Sequence, residues 1–398
     1  MHPSEGIRSV KGRELEGKRI ILGITGSIAA VECFKLAREL IRHGGDVQAV
    51  MSPEAVKLVT TEAMQFATGK EVITDLDGRV QHIDLLGDYE DRADLLLVAP
   101  CTANTLSKMA LAIDDTAVTT MATVAIGANI PVLVAPAMHL AMFNHPGVQR
   151  NVKTLREMGV GLIGPTMIGK KAHVASIDEI VQNVLRRLGP GDLRGKKVLI
   201  IGGSSEEPID QVRVITNRSS GETAICLAQT AFRRGAEVEL WTGRMSVPVP
   251  GYFKCRSFRR VEELLGMVDK IDHDAVIVPA ALSDYAPIST PGKIPSGSKT
   301  IALKLTGLPK VLPAIRPRTR VLIGFKAEIG VSSEELIGRA RARLEEYDLD
   351  LIAANDLSDV KEGATRTRLV RPDGEMEPFE GSKMELAERL MDEVQRAL

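Results

Sequence analysis

Residues 19–30, RIILGITGSIAA, run from six residues that are apolar on both faces into a glycine-bearing turn and then into small, helix-compatible residues. An apolar run without polar alternation is a strand covered on both faces, and a strand that exits through glycine into a helix is the opening unit of a parallel α/β sheet. Outward from it the same pattern repeats at DVQAVM (46–51), DLLLVAP (94–100), PVLVAP (131–136) and GVGLIGP (159–165). It then starts again at KKVLIIGG (196–203), followed by EVELWTG (237–243), DAVIVPA (274–280), RVLIGF (320–325) and LDLIAAND (349–356). Between the two sets, LGPGDLRGK (188–196) carries the glycine and proline of a joint. The expected fold class is therefore α/β with two doubly wound parallel-sheet domains, 1–188 and 189–398.

Two domains suit a chain of 398 residues, because single cores stop growing at roughly 250–300. Basic and acidic side chains number 51 and 52, for a formal charge of −1, which gives no electrostatic footprint for nucleic acid or an anionic membrane. The four cysteines, Cys33, Cys101, Cys226 and Cys255, have no CxxC spacing, and MHPSEGIRSVKGRELEGKR has no apolar signal core; a reducing cytoplasm is expected. The uncharged stretch Thr116–Met138 is long enough to span a bilayer, but Gly127, Asn129 and Pro131 interrupt it. It reads as a buried helix followed by a buried strand.

In GITGSIAA (23–30) the backbone N–H groups near Gly26, Ser27 and Ile28 can hold a phosphate at a helix start, and Ser52 in MSPEA (51–55) adds a hydroxyl after the second strand. Three longer words accompany them: QHIDL (81–85), APCTANTLSKMALAIDDTAVTT (99–120) and APAMHLAMF (135–143). Together these four motifs resemble the flavin-dependent phosphopantothenoylcysteine decarboxylase family over residues 17–185. The resemblance implies a flavodoxin-like domain forming trimers, with FMN at a protomer interface. It puts Gly26, Ser27 and Ser52 at the flavin phosphate and Thr102, Asn104 and Met138 along the flavin, and makes His82 the catalytic histidine. The family's bacterial form has asparagine where this chain has His139, and a flap cysteine where GKKAHVAS (169–176) has none. His173, Lys170, Lys171 and Cys101 are the candidates for the missing proton donor.

The second half carries GGSSEEPIDQVRVITNRSSG (202–221), a glycine-rich strand exit followed by Asp210, Arg213 and Asn217; Arg213 can clamp an anion through two N–H groups. With PAALSDYAP (279–287), LIGFKAE (322–328) and LIAANDLS (351–358) it resembles the phosphopantothenate:cysteine ligase family over residues 193–398. That resemblance implies activation of 4'-phosphopantothenate as an acyl-nucleotide by CTP or ATP with Mg2+, CTP being the expected nucleotide, and displacement by L-cysteine. It places the nucleotide at Val278, Pro279, Ala280, Asp284, Phe325, Lys326, Ala327 and Glu328, and the acyl intermediate at Asn217, with Asp210 and Arg213 beside it. Lys293, in the Pro/Gly/Ser-rich segment 287–298, corresponds to a mobile-loop lysine, although KIPS (293–296) keeps one lysine of the bacterial KxKK word. Metal ligands are not assigned.

Both motif sets in this order are similar to the fused bifunctional enzymes of coenzyme A biosynthesis, and His139 and the flap point to their archaeal branch. A homo-oligomer with trimeric and dimeric contacts, up to a dodecamer, is implied. A second reading keeps the ligase and makes the front half a flavin-binding scaffold without activity.

Overall fold

A strand that is apolar on both faces must be covered on both, and the computed structural model does this with helices. It describes residues 2–168, 171–289, 292–295, 300–359 and 365–398, giving the backbone alone for 166–168, 171–173 and 359. The chain divides into two compact units, Met1–Gly189 and Pro190–Leu398.

The first unit runs β1 (Arg19–Ile24), α1 (Cys33–Arg42), β2 (Asp46–Met51), α2 (Pro53–Val56), α3 (Thr61–Thr68), α4 (Gln81–Leu86), β3 (Leu95–Cys101) and α5 (Ala103–Ala110). It continues through α6 (Ala117–Gly127), β4 (Val132–Pro136), α7 (Leu140–Phe143), α8 (Pro146–Glu157), β5 (Gly161–Leu162), β6 (Thr166–Ile168), β7 (Lys171–His173) and α9 (Ile177–Leu188). Five parallel strands lie in the order β2-β1-β3-β4-β5, the flavodoxin-like order. Alternation along β1 sends Ile20, Leu22 and Ile24 into one core with Leu36, Leu40 and Val184, and Ile21 into the other with Leu96, Val118 and Met121. Each such side chain contributes about 1.5–3 kcal/mol when fully buried, so the sheet is held from both sides. The run 159–165 shrinks to the two residues of β5, because Gly164 turns at φ +72° and Pro165 has no N–H to continue the ladder. The uncharged stretch is α6 followed by β4, and α6 starts at a capping box of Thr116 and Thr119.

The second unit comprises β8 (Lys197–Gly202), β9 (Glu206–Pro208), β10 (Val214–Thr216), α10 (Glu222–Arg233), β11 (Glu237–Thr242), β12 (Lys254–Ser257), α11 (Val261–Leu265), β13 (Ala275–Val278) and β14 (Tyr285–Pro287). After these come β15 (Leu305–Gly307), α12 (Val311–Ile315), β16 (Val321–Glu328), α13 (Ser333–Glu346), β17 (Leu351–Asp356), β18 (Thr365–Arg371), β19 (Gly374–Glu375), β20 (Phe379–Gly381) and α14 (Lys383–Ala397). The main sheet has the order β12-β11-β8-β13-β16-β17-β18-β19, parallel through β17 and closed by antiparallel β18, on which β20 also pairs. Val198 and Ile200 face α10 and α14 through Leu227 and Leu390, while Leu199 and Ile201 face Leu264, Ile315 and Ala340. Two hairpins, β9–β10 and β14–β15, stand off this sheet. Among the described residues no helix is long and apolar enough to cross a membrane.

Candidate active sites in the two units

Where a doubly wound sheet reverses its strand order, the connections leaving two neighbouring strands diverge and open a crevice at their carboxyl ends. In the first unit that point lies between β1 and β3, and the crevice is a cavity of about 530 Å³. Gly26, Ser27, Ser52, Thr102, Asn104 and Met138, the six residues expected around a flavin, all line it. Four hydroxyls along its wall cap helical segments. Ser27 Oγ accepts from Ala29 N at 3.4 Å, Ser52 Oγ from Ala55 N at 3.3 Å, Thr102 Oγ1 from Thr105 N at 3.2 Å and Thr116 Oγ1 from Thr119 N at 3.2 Å. Helix N-termini carry partial positive charge, so their convergence suits an anionic group. Gly26 completes the cradle: a Cβ there would lie 2.4 Å from Glu54 Cβ and 3.2 Å from the Glu54 carbonyl carbon.

Other residues shape this cavity without a motif that announces them. Thr25, fully buried, donates from Oγ1 to the Pro100 carbonyl at 2.7 Å and accepts from Thr102 N at 3.0 Å, which pins the exit of β1 to that of β3. Lys108, also in the lining, is ion-paired with Asp115 at 2.5 Å, and Thr116 and Met142 form further wall. A threonine after a strand and a lysine on a helix are too common for sequence to single them out.

The expected catalytic histidines occupy different places. His82 lies on α4 outside the cavity lining, and its Nδ1 is buried with no hydrogen-bond partner among the described residues. His139 is exposed and caps α7, its Nδ1 accepting from Ala141 N at 3.2 Å, directly after the cavity residue Met138. His173 and Lys171 sit on the β6–β7 hairpin with their side chains outside the described residues, as is all of Lys170. Cys101 is fully buried, and burial pushes its thiol up to about 12; Cys33 is raised to the same value, chiefly by burial. Cys101 is a packing residue behind the cavity wall, not part of it.

In the second unit the order reverses between β8 and β13. The exits of β8, β13 and β16 lie side by side, since Ile277 pairs with Ile200 and Val278 with Gly324. This brings Val278, Pro279 and Ala280 next to Phe325, Lys326, Ala327 and Glu328. Asn217 reaches across to them, donating from Nδ2 to the carbonyls of Leu282 (3.1 Å) and Ala281 (3.3 Å). Beneath, Ser205 Oγ accepts from Ser283 N at 3.0 Å. Gly203, at φ +82°, is required there because a Cβ would lie 2.6 Å from the Arg244 carbonyl oxygen. Lys326 (2.9 Å) and Arg339 (2.8 Å) pair with Glu328 and hold its carboxyl below the usual carboxylate range. Asp284 is exposed and ion-paired with Lys310, a second cation that sequence reasoning did not single out. Asp356, at the end of β17, accepts from Ser358 and from the N–H groups of Gly330 and Val331, which lower it to about 2 and fix the turn after β16. Asp210, Arg213 and exposed Lys293 form a separate group next to the β9–β10 turn.

Comparison with known proteins agrees with this division. Residues 8–189 match the Flavoprotein family model, and residues 193–398 match that of the DNA/pantothenate metabolism flavoprotein C-terminal domain. The coenzyme A biosynthesis bifunctional protein CoaBC of Thermococcus kodakarensis is 44% identical over 100% of both chains. The protein of the same description from Methanocaldococcus jannaschii is 38% identical over 100% of this chain and 98% of its own. Among solved structures, the DNA/pantothenate metabolism flavoprotein from Streptococcus pneumoniae is 28% identical and covers 51% of this chain and 99% of its own, with a TM-score of 0.47. With two such matches over its whole length, the chain belongs to the family of bifunctional coenzyme A biosynthesis enzymes, in which a flavoprotein decarboxylase unit precedes a ligase unit.

Proposed function

We propose that the second unit joins L-cysteine to 4'-phosphopantothenate at the expense of a nucleoside triphosphate, CTP in preference to ATP, with Mg2+, and that the first unit decarboxylates the product to 4'-phosphopantetheine on FMN. The observation that carries this reading is the convergence of Gly26, Ser27, Ser52, Thr102, Asn104 and Met138, spread over more than a hundred residues of sequence, on one cavity.

The cavity fits the cofactor. The hydroxyls of Ser27 and Ser52 take the phosphate beside Gly26, and Thr102, Asn104 and Met138 take the ring. FMN supplies a two-electron acceptor for the cysteinyl thiol, and that oxidation makes loss of the neighbouring carboxylate feasible. His82 holds or deprotonates the substrate end, and His139, on the chain segment leaving Met138, is placed to donate a hydrogen bond to the substrate carboxylate. His82 lies outside the cavity lining of its own chain, and Ile28, next to the lining residue Ser27, and Met142, in the lining, are exposed apolar residues. Both features support a trimer in which neighbouring copies complete each site. In the second unit, exposed Tyr285, Ile288 and Leu305 on and beside the β14–β15 hairpin support a dimeric contact.

In the ligase unit the exits of β13 and β16 with Asp284 hold the nucleotide, and Asn217 holds the activated acyl group. Lys293 neutralises charge that accumulates on the phosphoryl oxygens as pyrophosphate leaves. Mg2+ would accompany the nucleotide and supply further charge neutralisation at its phosphates.

Gly26→Val tests the cradle. Its side chain would enter the space of Glu54, and overpacking of about 1–3 kcal/mol corresponds to roughly 5- to 150-fold weaker FMN retention. The variant is expected to purify with little yellow colour while ligase turnover stays at the wild-type value. The function as a whole is tested by incubating the full chain with phosphopantothenoylcysteine and no nucleotide, following the substrate mass. Loss of CO2 is the expected result. Unchanged substrate on a protein that retains FMN would instead establish the front half as a flavin-binding scaffold, the reading that the absent flap cysteine favours.

A further inference from the structure

Asp210 sits in the turn between β9 and β10 with its side chain wholly buried. A carboxylate offers about four acceptor positions, and here protein donors fill all four. Oδ1 accepts from Val212 N at 2.8 Å and Arg213 N at 2.7 Å; Oδ2 accepts from Arg213 Nη1 at 2.5 Å and Ile294 N at 3.0 Å. The first two bonds close its own turn. The last reaches across to the residue after Lys293. Two more bonds run along the same seam: Arg213 Nη1 donates to the Ile294 carbonyl at 3.2 Å, and Gln211 N donates to the Gly292 carbonyl at 3.1 Å. The backbone on both sides of Lys293 is therefore tied to one turn, and a fully occupied carboxylate has nothing left with which to hold a substrate.

We infer that Asp210 and Arg213 form a dock that fixes the Gly292–Ile294 backbone and so sets where Lys293 presents its ammonium, Asp210 acting as a positioning residue and not as a substrate ligand. The inference rests on the ligase reading. It adds a coupling: Arg213 uses only Nη1 and its backbone N–H in the dock, while Nε and Nη2 have no partner among the described residues and 39% of the side chain is exposed. An anionic substrate group bound on that free edge shares a guanidinium with the strut that holds the lysine segment.

The test uses the full chain carrying Asp210→Asn, Lys293→Ala and both. Backbone hydrogen exchange, read without ligands, is expected to accelerate at least about 10-fold in Asp210→Asn for the peptide covering 292–295, because its anchoring bonds weaken. Pyrophosphate release from CTP with 4'-phosphopantothenate is expected to lose about 100-fold in kcat with KM for CTP nearly unchanged, the signature of a misplaced group that acts in the transition state. The double variant is expected to be no slower than Lys293→Ala alone, since the dock works through the lysine. Unchanged exchange, or losses that multiply in the double variant, overturns the dock. Ile294→Pro deletes the N–H that Asp210 accepts without touching the turn, and keeps the same readouts available if Asp210→Asn does not fold. A wild-type chain that released no pyrophosphate would count against the ligase reading, and the exchange measurement alone would then decide whether the dock exists.

Discussion

His82→Asn is expected to leave the protein yellow and to slow CO2 release from phosphopantothenoylcysteine by about 10²–10⁴-fold, the usual contribution of a positioned acid or base. Two observations separate these effects. His82 lies outside the cavity lined by Ser27, Ser52 and Thr102, so flavin retention has no reason to change. Its Nδ1 is buried without a hydrogen-bond partner among the described residues, an arrangement that costs about 1–3 kcal/mol when it serves nothing. That unpaired atom leaves His82 free to take a hydrogen bond from a substrate group or from a second copy of the chain. Asparagine keeps the approximate shape and a hydrogen-bonding group but cannot take up a proton at neutral pH. The check is turnover measured beside the flavin absorbance of the same sample, and full CO2 release from the variant would remove His82 from the chemistry.

The other large effect is expected at the opposite end of the reaction sequence. Lys293→Ala should reduce ligase turnover by about 10²–10³-fold, as loss of one preorganised charge at a developing phosphoryl anion does. Flavin absorbance and decarboxylation of added phosphopantothenoylcysteine should stay at wild-type values, because Lys293 belongs to the second unit and the cavity to the first. Lys293 is exposed and no protein carboxylate pairs with it among the described residues, so its removal orphans nothing and fold stability should hardly move. Equal ligase turnover in the variant would leave Lys310, already paired with Asp284, as the cation to examine next.

The strands that decided the fold were readable because a parallel sheet buried on both faces leaves a signature that little else produces. RIILGI and DVQAVM coincide with β1 and β2 to the residue, and LDLIAAND contains β17. What escaped was the edge and the antiparallel closure. β12, KCRS, is an edge strand whose residues are mostly solvated, so it carries no apolar run. β18, TRTRLVR, alternates as a strand should, but Thr365 and Thr367 occupy its first inward positions. They are buried because Asn355 donates to both hydroxyls, at 2.9 and 2.6 Å. An inward face made of hydroxyls satisfied from a neighbouring strand cannot be told from a solvated loop in one dimension. The flavin-site candidates were legible through the resemblance that their motifs carry; that Ser27, Ser52 and Thr102 also cap helical segments emerged only in the structure. The occupation of Asp210 was not legible, because it depends on Ile294, more than eighty residues away, and on a backbone N–H that any residue but proline would supply.

An enzyme that handles thiols at both ends of its reaction has a chemical problem with its own sulfur, since any reactive cysteine near the site can exchange with substrate or oxidise to a mixed disulfide. The two cysteines of the first unit are held away from that hazard. Burial raises both thiols to about 12, so the thiolate, the species that exchanges, is strongly disfavoured at neutral pH. The segment GKKAHVAS (169–176) adds no cysteine. The only cysteines of the flavoprotein unit are the buried Cys33 and Cys101, so oxidants and disulfides that would disable a thiol acid should leave its cysteine side chains unmodified, although they would still consume the substrate thiol.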